Sequence, residues 1–359
     1  MIQSQENCLS DNHRFYLRAI GRGLGVARFS ARMATPVFWG VFLFAPAWRW
    51  ERLTVYFYKP ASILIWGLLC FAMYGRTVSA KGADGDKKAI LVVSFGTSYP
   101  ATRKLTIEAV ENKIRAEFPG FTVRRAFTSP TIIKKLRRQE NLCIDTPREA
   151  LEKLGNEGFQ EVVVQPLHII AGQEYDQLKN TVDGYRADHG LAKLVLGKPV
   201  LYSAGEADDY GEAVKALAEQ LPPLSNDEAV VLMGHGTRHP ANIAYTILQQ
   251  KLDEAGMRVY LGTVEASPTL DDIKARLLSG NVKRVVLMPF MLAAGAHVQN
   301  DLAGDGADSW KGQLEKAGYE VSVYMHGLGE NPALQNIYLR HVAAAVRQLS
   351  GPEAAETEA

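Results

Sequence analysis

The chain has 359 residues, and 40 Lys and Arg side chains balance 39 Asp and Glu, so its formal net charge is +1. This length is typical of two domains, and near-zero charge excludes a whole-chain attraction to nucleic acid. Hydrophobic residues at 47% and charged residues at 22% exclude a collagen-like or wholly disordered chain. Three cysteines are too few for a four-cysteine zinc site.

Residues 1–80 differ from the rest of the chain in charge and hydropathy, with nine basic and three acidic residues. Lys59 precedes the apolar run Ile63–Tyr74, and Val78-Ser79-Ala80 has the small-residue pattern of a signal cleavage site. The run is shorter than the roughly 20 residues that cross a bilayer. Residues 1–80 are therefore predicted to be a signal peptide or hydrophobic extension, with a periplasmic mature protein beginning near Lys81. The alternatives are an uncleaved membrane anchor, which alone would make the membrane a partner, and a cytosolic extension.

From Ala89 onward, apolar runs alternate with amphipathic segments, which predicts an α/β fold with parallel sheets and helices on both faces. The predicted strands are Ala89–Ser94, Glu161–Gln165, Ala229–Met233 and Arg284–Met288. The predicted helices are Ala101–Glu117, Pro147–Glu157, Gln173–Arg186, Tyr210–Gln220, Pro240–Glu254, Leu270–Leu278 and Trp310–Lys316.

The chain also repeats itself in three blocks that occur in the same order. The matches are Ile90–Thr97 with Val230–Thr237, Phe127–Thr131 with Glu265–Thr269, and Val162–Glu174 with Val285–His297. Such repetition indicates duplicated structural units. We predict two similar α/β domains, 86–225 and 226–350, followed by a disordered tail, 351–359.

The repeat places six residues at the ends of strands, where open parallel sheets bind ligands. In the first half these are Phe95, Phe127 and Glu174; their counterparts in the second half are His235, Glu265 and His297. Two imidazoles and a carboxylate suit Co, Ni, Fe or Zn ions. We therefore predict a metal site made of His235, Glu265 and His297, facing the first-half set across a cleft.

Other candidate site residues have both a functional and a structural interpretation from the sequence alone. His239 could support the metal site or face solvent, and His168 could act in the site or be a hydrogen-bonded core residue. Arg103, Lys104 and Arg238 could attract an acidic substrate or be solvated helix-start residues.

The longest of these motifs resemble one family, the anaerobic-type sirohydrochlorin cobaltochelatases of the class II chelatases, in an exported form. The resemblance rests on Met233–Asn242, Gly262–Pro268, Met288–Asp305, Ser94–Ser98 and Pro166–Ile170. It implies two flavodoxin-like domains, an active site in the interdomain cleft, and His235, Glu265 and His297 as metal ligands. It also implies a homo-oligomer. Some exported relatives bind haem at a subunit contact, but no residue here is assigned to haem.

The expected reaction is insertion of Co²⁺ into sirohydrochlorin with release of two protons, as in anaerobic cobalamin biosynthesis. His235, His297 and Glu174 are the predicted catalytic residues, because imidazole and carboxylate groups accept protons at neutral pH. Phe95 and Phe127 are predicted to pack on the macrocycle, and Arg238 to bind its carboxylates. Fe²⁺ or Ni²⁺ would suit the same ligands, so a ferrochelatase for sirohaem or haem synthesis is one alternative. A non-catalytic periplasmic carrier of metal or tetrapyrrole is the other.

Overall fold

The computed structural model describes residues 87–189, 193–203, 207–295 and 298–350. The predicted signal segment, the tail 351–359 and His297 lie outside the described residues. Within the part that is described, no helix is long and apolar enough to cross a membrane.

Two four-stranded parallel sheets form the framework of the molecule. The first has the order β2-β1-β3-β4 and the second the order β6-β5-β7-β8. The strands of the first sheet are β1 (Lys87–Ser94), β2 (Thr122–Phe127), β3 (Phe159–Pro166) and β4 (Lys193–Leu196). Those of the second are β5 (Glu228–Gly234), β6 (Val259–Thr263), β7 (Arg284–Pro289) and β8 (Glu320–Val323). The predicted α/β class with two parallel-sheet domains is confirmed.

Ten α-helices in the described part connect and cover the strands. In the first half they are α1 (Pro100–Leu105), α2 (Ile107–Glu117), α3 (Pro130–Glu140), α4 (Pro147–Asn156), α5 (Gln173–His189) and α6 (Asp209–Gln220). In the second half they are α7 (Ile243–Glu254), α8 (Leu270–Ser279), α9 (Trp310–Lys316) and α10 (Pro332–Ser350). Short 3₁₀ turns span Pro240–Asn242 and Leu328–Glu330, and a π-helical turn spans Val298–Leu302.

Two of the predicted helices differ from the observed ones at a turn. The segment predicted as one helix over Ala101–Glu117 is divided at Thr106, whose hydroxyl donates to the carbonyl oxygen of Thr102 (2.6 Å). Bonding of this kind bends helices because the side chain competes for a backbone acceptor. The helix predicted to begin at Pro240 begins as a 3₁₀ turn before α7.

Buried side chains form three layers rather than one core per sheet. One layer covers the outer face of the first sheet and another the outer face of the second. The third lies between the sheets and includes Ile90 of β1, Val230 of β5 and Tyr338 of α10. This layer takes side chains from both halves, so the two sheets pack against a common core.

The C-terminal helix α10 follows the second sheet in sequence but packs against α2, α6, β3 and β4 of the first half. The Tyr338 hydroxyl donates to the carbonyl oxygen of Leu167 (2.9 Å), and the Asn331 amide donates to that of Ala216 (2.7 Å). The helix therefore supports the loop that follows β3. The domain boundary between 225 and 226 stays a prediction.

Candidate active site

His235 and Glu265 lie side by side at the carboxyl ends of β5 and β6. Their loops are joined by backbone hydrogen bonds from Val264 N to Gly234 O (3.1 Å) and from Glu265 N to His235 O (2.9 Å). The His235 Nδ1 atom is 3.9 Å from Glu265 Oε2, and the two side chains are 46% and 56% exposed. The structure thus brings two of the three predicted metal ligands together on an open edge.

A left-handed glycine shapes the turn that carries His235. Gly236 has φ +79°, and a Cβ atom there would lie 2.7 Å from the Cβ of Thr263. Only glycine fits this conformation and this approach without strain. The His235 Nδ1 atom is 3.0 Å from Gly236 O. Since a carbonyl oxygen only accepts, Nδ1 of the neutral ring carries the proton and Nε2 carries the lone pair, as the predicted role of a metal ligand requires.

Tyr245 of α7 supports the same turn from beneath. A Cβ atom at Gly234 would lie 2.8 Å from the Tyr245 ring, so the ring fills the space below the strand end. Burial raises the pKa of Tyr245 to about 12, against a hydrogen bond with the backbone of Gly236 that lowers it. The phenol is neutral at physiological pH and acts as a fixed support.

The third predicted ligand, His297, falls outside the described residues, so its position beside the other two stays a prediction. Next to it, Gly295 N donates to Ala293 O (2.9 Å), and Val298 and Leu302 of the π-helical turn are buried. Among the described residues, no three His, Cys, Asp or Glu side chains are grouped closely enough to hold a metal ion.

Glu174, the predicted first-half catalytic residue, lies in the first turn of α5, where the helix dipole favours a negative charge. Its side chain is 44% exposed, and its Oε2 atom is 3.4 Å from Nε2 of His168. His168 follows β3 and is only 8% exposed. A half-exposed carboxylate therefore has a buried imidazole behind it. The sequence left the role of His168 open and did not indicate this pairing.

A side-chain hydrogen bond joins the loops of the two halves. His239 Nε2 is 3.1 Å from Asp176 Oδ2, two residues after Glu174 in α5. His239 Nδ1 accepts from Ala241 N (3.1 Å), so Nε2 carries the proton and donates to Asp176. This contact puts the start of α5 beside the His235 turn. Sequence reasoning missed Asp176, although its spacing from Glu174 on a helix start was a usable signal.

The prediction that Phe127 packs on a substrate ring is wrong, because its side chain is fully buried. The ring lies against Gly96, which has φ +93°, and the guanidinium of Arg125 lies 5.9 Å from its centroid. Phe95 is 48% exposed at the end of β1. Phe95 therefore remains available for contact with a macrocycle, whereas Phe127 is a core residue.

The strand register explains the error at Phe127. Ser94 pairs with Phe127, and Gly234 pairs with Thr263, so Thr263 is the counterpart of Phe127. The counterpart of Glu265 is Ser129, whose N–H donates to Phe95 O (3.4 Å) as that of Glu265 donates to His235 O. The loop of the second half is two residues longer, which an alignment anchored on the shared Ser-Pro-Thr did not show.

Of the basic residues considered for substrate attraction, Arg103 is excluded by burial. Its side chain is 7% exposed and is bound to Glu140 at 2.6 Å. Arg238, between His235 and the 3₁₀ turn, is exposed, as is Lys104. Arg238 therefore keeps the exposure that its predicted role requires.

Comparison with known proteins identifies the family of the chain. The family model described as cobalt chelatase (CbiK) matches residues 88–347. The chain belongs to the CbiK family of cobalt chelatases. A sirohydrochlorin cobaltochelatase of Salmonella typhimurium is 42% identical over 260 residues, which cover 72% of this chain and 97% of the relative. The sirohydrochlorin cobaltochelatase CbiKC of Nitratidesulfovibrio vulgaris is 38% identical over 264 residues, which cover 73% and 92%.

Among solved structures, SirB from Bacillus subtilis with Fe3+ has the same fold. Its TM-score is 0.52 at 18% sequence identity, with 74% of this chain and 98% of SirB covered. At this identity the likeness shows the fold alone.

Proposed function

We propose that this CbiK-family chelatase inserts Co²⁺ into sirohydrochlorin. The observation that carries the proposal is the His235–Glu265 pair at adjacent strand ends of a chain that matches the cobalt chelatase family over residues 88–347. Two relatives that carry the name sirohydrochlorin cobaltochelatase support the same substrate, since they match over most of their own length.

The reaction is a metal-for-proton exchange. Two pyrrole N–H bonds break, the macrocycle nitrogens bind the divalent metal, and two protons leave. The metal must also lose its own ligands. An imidazole with its lone pair on Nε2, as at His235, can hold the incoming metal and release it to the macrocycle. The Glu265 carboxylate adds negative charge that favours the cation. His297 is proposed as the third ligand.

On the first half, Glu174 is proposed to accept a pyrrole proton, because its carboxylate is half exposed beside the second-half loops. Phe95 presents an exposed ring at the end of β1 that can pack on the macrocycle. Arg238 is exposed beside the predicted metal site, where it can bind one of the carboxylates of sirohydrochlorin. In this proposal the second half delivers the metal and the first half accepts the protons.

Co²⁺ is proposed as the working metal rather than Fe²⁺ or Ni²⁺. A site of nitrogen and oxygen ligands binds all three ions, so ligand chemistry alone does not select one. The family match supports cobalt. Competition between the three metals at equal free concentration tests this part of the proposal.

The deciding experiment measures insertion by absorbance with purified protein that begins at Lys81. Sirohydrochlorin and protoporphyrin are each offered with Co²⁺, Fe²⁺ or Ni²⁺. We expect many turnovers with Co²⁺ and sirohydrochlorin. Faster insertion of Fe²⁺ would favour the ferrochelatase alternative. Tight binding with no more than one turnover would favour a carrier.

Export to the periplasm and assembly into a homo-oligomer are further proposals. The first is supported by the apolar run and the cleavage pattern at Val78–Ala80, and the second by the family resemblance. N-terminal sequencing of the native protein tests export, and light scattering of the purified protein tests the oligomeric state. An intact N-terminus in the membrane fraction would favour an anchor.

A further inference from the structure

His168 is a buried histidine whose ring nitrogens make no well-formed hydrogen bond with the described residues. The side chain is 8% exposed, and within the described part of the chain neither ring nitrogen has a hydrogen-bond partner of good geometry. Its Nε2 atom lies 3.4 Å from Glu174 Oε2. Buried polar groups normally find partners, and an aliphatic side chain would fill this space without a loss of hydration. A purely structural role therefore explains this residue poorly.

A second buried histidine, His341 in α10, shows what a structural role looks like in this protein. Its Nδ1 atom is 3.1 Å from Lys198 O, and its Nε2 atom is 3.0 Å from Asp209 Oδ1. Both nitrogens lie within hydrogen-bond distance of an acceptor, unlike those of His168. In the described part of the chain, the ring of His168 has only the long contact with Glu174, a residue of the proposed site.

The backbone around His168 is fixed by the rest of the fold. Val200 N donates to His168 O (3.1 Å), and Leu201 N donates to Ile169 O (2.8 Å). The Tyr338 hydroxyl holds the carbonyl of Leu167. The main chain at His168 is therefore fixed, which limits the positions that its imidazole can take.

Glu174 is fixed less firmly than His168. It lies in the first turn of α5, and that turn is held to the second half by the Asp176–His239 contact. Its own carboxylate is half exposed, and within the described residues its side-chain contact is with His168. Catalytic hydrogen bonds are often long without substrate and shorten when it binds. A shift of a few tenths of an ångström would make the 3.4 Å contact a hydrogen bond.

We propose that His168 is a positioning residue: its Nε2–H donates to Glu174 and holds that carboxylate towards the cleft, where it accepts a pyrrole proton. The proposal rests on the proposed function of the site. The proton passes from a pyrrole nitrogen to the Glu174 carboxylate and then to solvent, and His168 keeps its own proton throughout.

Three substitutions separate positioning from packing. His168→Gln places an amide N–H at about the reach of Nε2, His168→Asn places one at about the reach of Nδ1, and His168→Leu removes the donor. We expect Leu and Asn to lower kcat for Co²⁺ insertion by about 10-fold to 100-fold, the usual effect of losing a partner that orients a site residue. KM for sirohydrochlorin and for Co²⁺ should change little, and Gln should restore most of kcat. His341→Gln is the matched control, with a lower thermal midpoint and an unchanged kcat.

A double variant tests the dependence on Glu174. If His168 acts through that carboxylate, Glu174→Gln combined with His168→Leu should be no slower than Glu174→Gln alone. Wild-type kcat in His168→Leu would overturn the proposal, as would equal losses in the Gln, Asn and Leu variants. Wild-type protein that never turns over Co²⁺ and sirohydrochlorin would instead refute the proposed function.

Discussion

At the scale of single residues, the proposed chemistry depends most on His235 and Glu265. His235→Ala removes the Nε2 lone pair and should lower the insertion rate roughly 100-fold or more, the range for loss of a proton acceptor. Residues that act as a unit are non-additive, so adding Glu265→Gln should cost little further. The measurement is Co²⁺ insertion by absorbance, with Co²⁺ affinity by calorimetry.

His326→Ala is the control for this prediction, because His326 is also an exposed histidine beside a carboxylate, Glu330, at 2.7 Å. It should leave insertion unchanged. Sirohydrochlorin binding should survive in His235→Ala, since the macrocycle is proposed to be held by its carboxylates and ring faces. Near-normal Co²⁺ affinity together with near-normal turnover in His235→Ala would contradict the assignment.

Phe95 and Phe127 give a second prediction at this scale. Phe127→Ala empties a buried site and should lower the free energy of unfolding by roughly 3–5 kcal/mol. Phe95→Ala removes an exposed ring and should leave the thermal midpoint nearly unchanged. It should instead raise KM for sirohydrochlorin roughly fivefold, corresponding to about 1 kcal/mol of aromatic contact. A destabilised Phe95→Ala, or a stable Phe127→Ala, would reverse the two roles.

At the residue scale, the sequence predicted the positions of some side chains and not of others. The motif around His235 predicted its position at a strand end, and the structure places it there beside Glu265. The position of Phe127 could not be predicted in the same way. The second-half loop has two extra residues, so the Ser-Pro-Thr match aligned Phe127 with Glu265, whereas the strand pairing aligns it with Thr263. The sequence likewise did not indicate that Arg103 is buried, because its partner, Glu140, belongs to another helix.

At the scale of elements, buried central strands were predictable and edge strands were not. β1 and β5 are continuous apolar runs, whereas β8 reads Glu-Val-Ser-Val, and only some of its residues face the core. Short, mixed strands of this kind depend on a neighbour for their pairing rather than on their own pattern. The packing of α10 on the first half could not be predicted either, because the helices and strands that it contacts are distant in the chain.

The helix α10 is joined to α6 by a buried ionic cluster. Asp209 is 1% exposed and contacts His341 (3.0 Å) and Arg340 (2.6 Å). Burial raises the pKa of Asp209, but the hydrogen bond and charge of His341, the N–H of Ser203 and Arg340 outweigh it, so this pKa lies below its usual value. The carboxylate therefore stabilises the fold above its unfolded pKa of about 3.9, and this contribution is lost as pH falls.

Asp209→Asn should accordingly destabilise the protein by about 1–3 kcal/mol at neutral pH, because a neutral buried amide replaces the carboxylate that binds Arg340 and His341. Urea unfolding followed from pH 7 down to pH 3 measures the effect. The stability gap between wild type and variant should narrow once the pH falls below about 4, because the Asp209 carboxylate of the unfolded chain then takes up a proton before that of the native protein does. Asp183→Asn, in an exposed ion pair with Lys179, should change stability much less. A gap that does not vary with pH would argue against an ionic origin.

At the scale of the whole molecule, the two sheets are linked through a shared core layer, the α10 contacts and the Asp176–His239 pair. The repeat predicted two similar sheets, and their identical strand orders confirm it. The three-layer arrangement was not predictable, because periodicity shows which face of an element is apolar but not which distant element covers it.

A chain from Lys81 to Ser350 should fold and insert Co²⁺ as well as the full-length chain. The buried core residues named above, the proposed His235–Glu265 pair and the family match at 88–347 all lie within it. Its thermal midpoint and kcat should equal those of the full-length protein in detergent. The apolar run Ile63–Tyr74 is absent from this chain, so it should remain in the supernatant after membranes are sedimented. A clearly lower midpoint or kcat would mean that residues 1–80 belong to the functional fold rather than to an export signal.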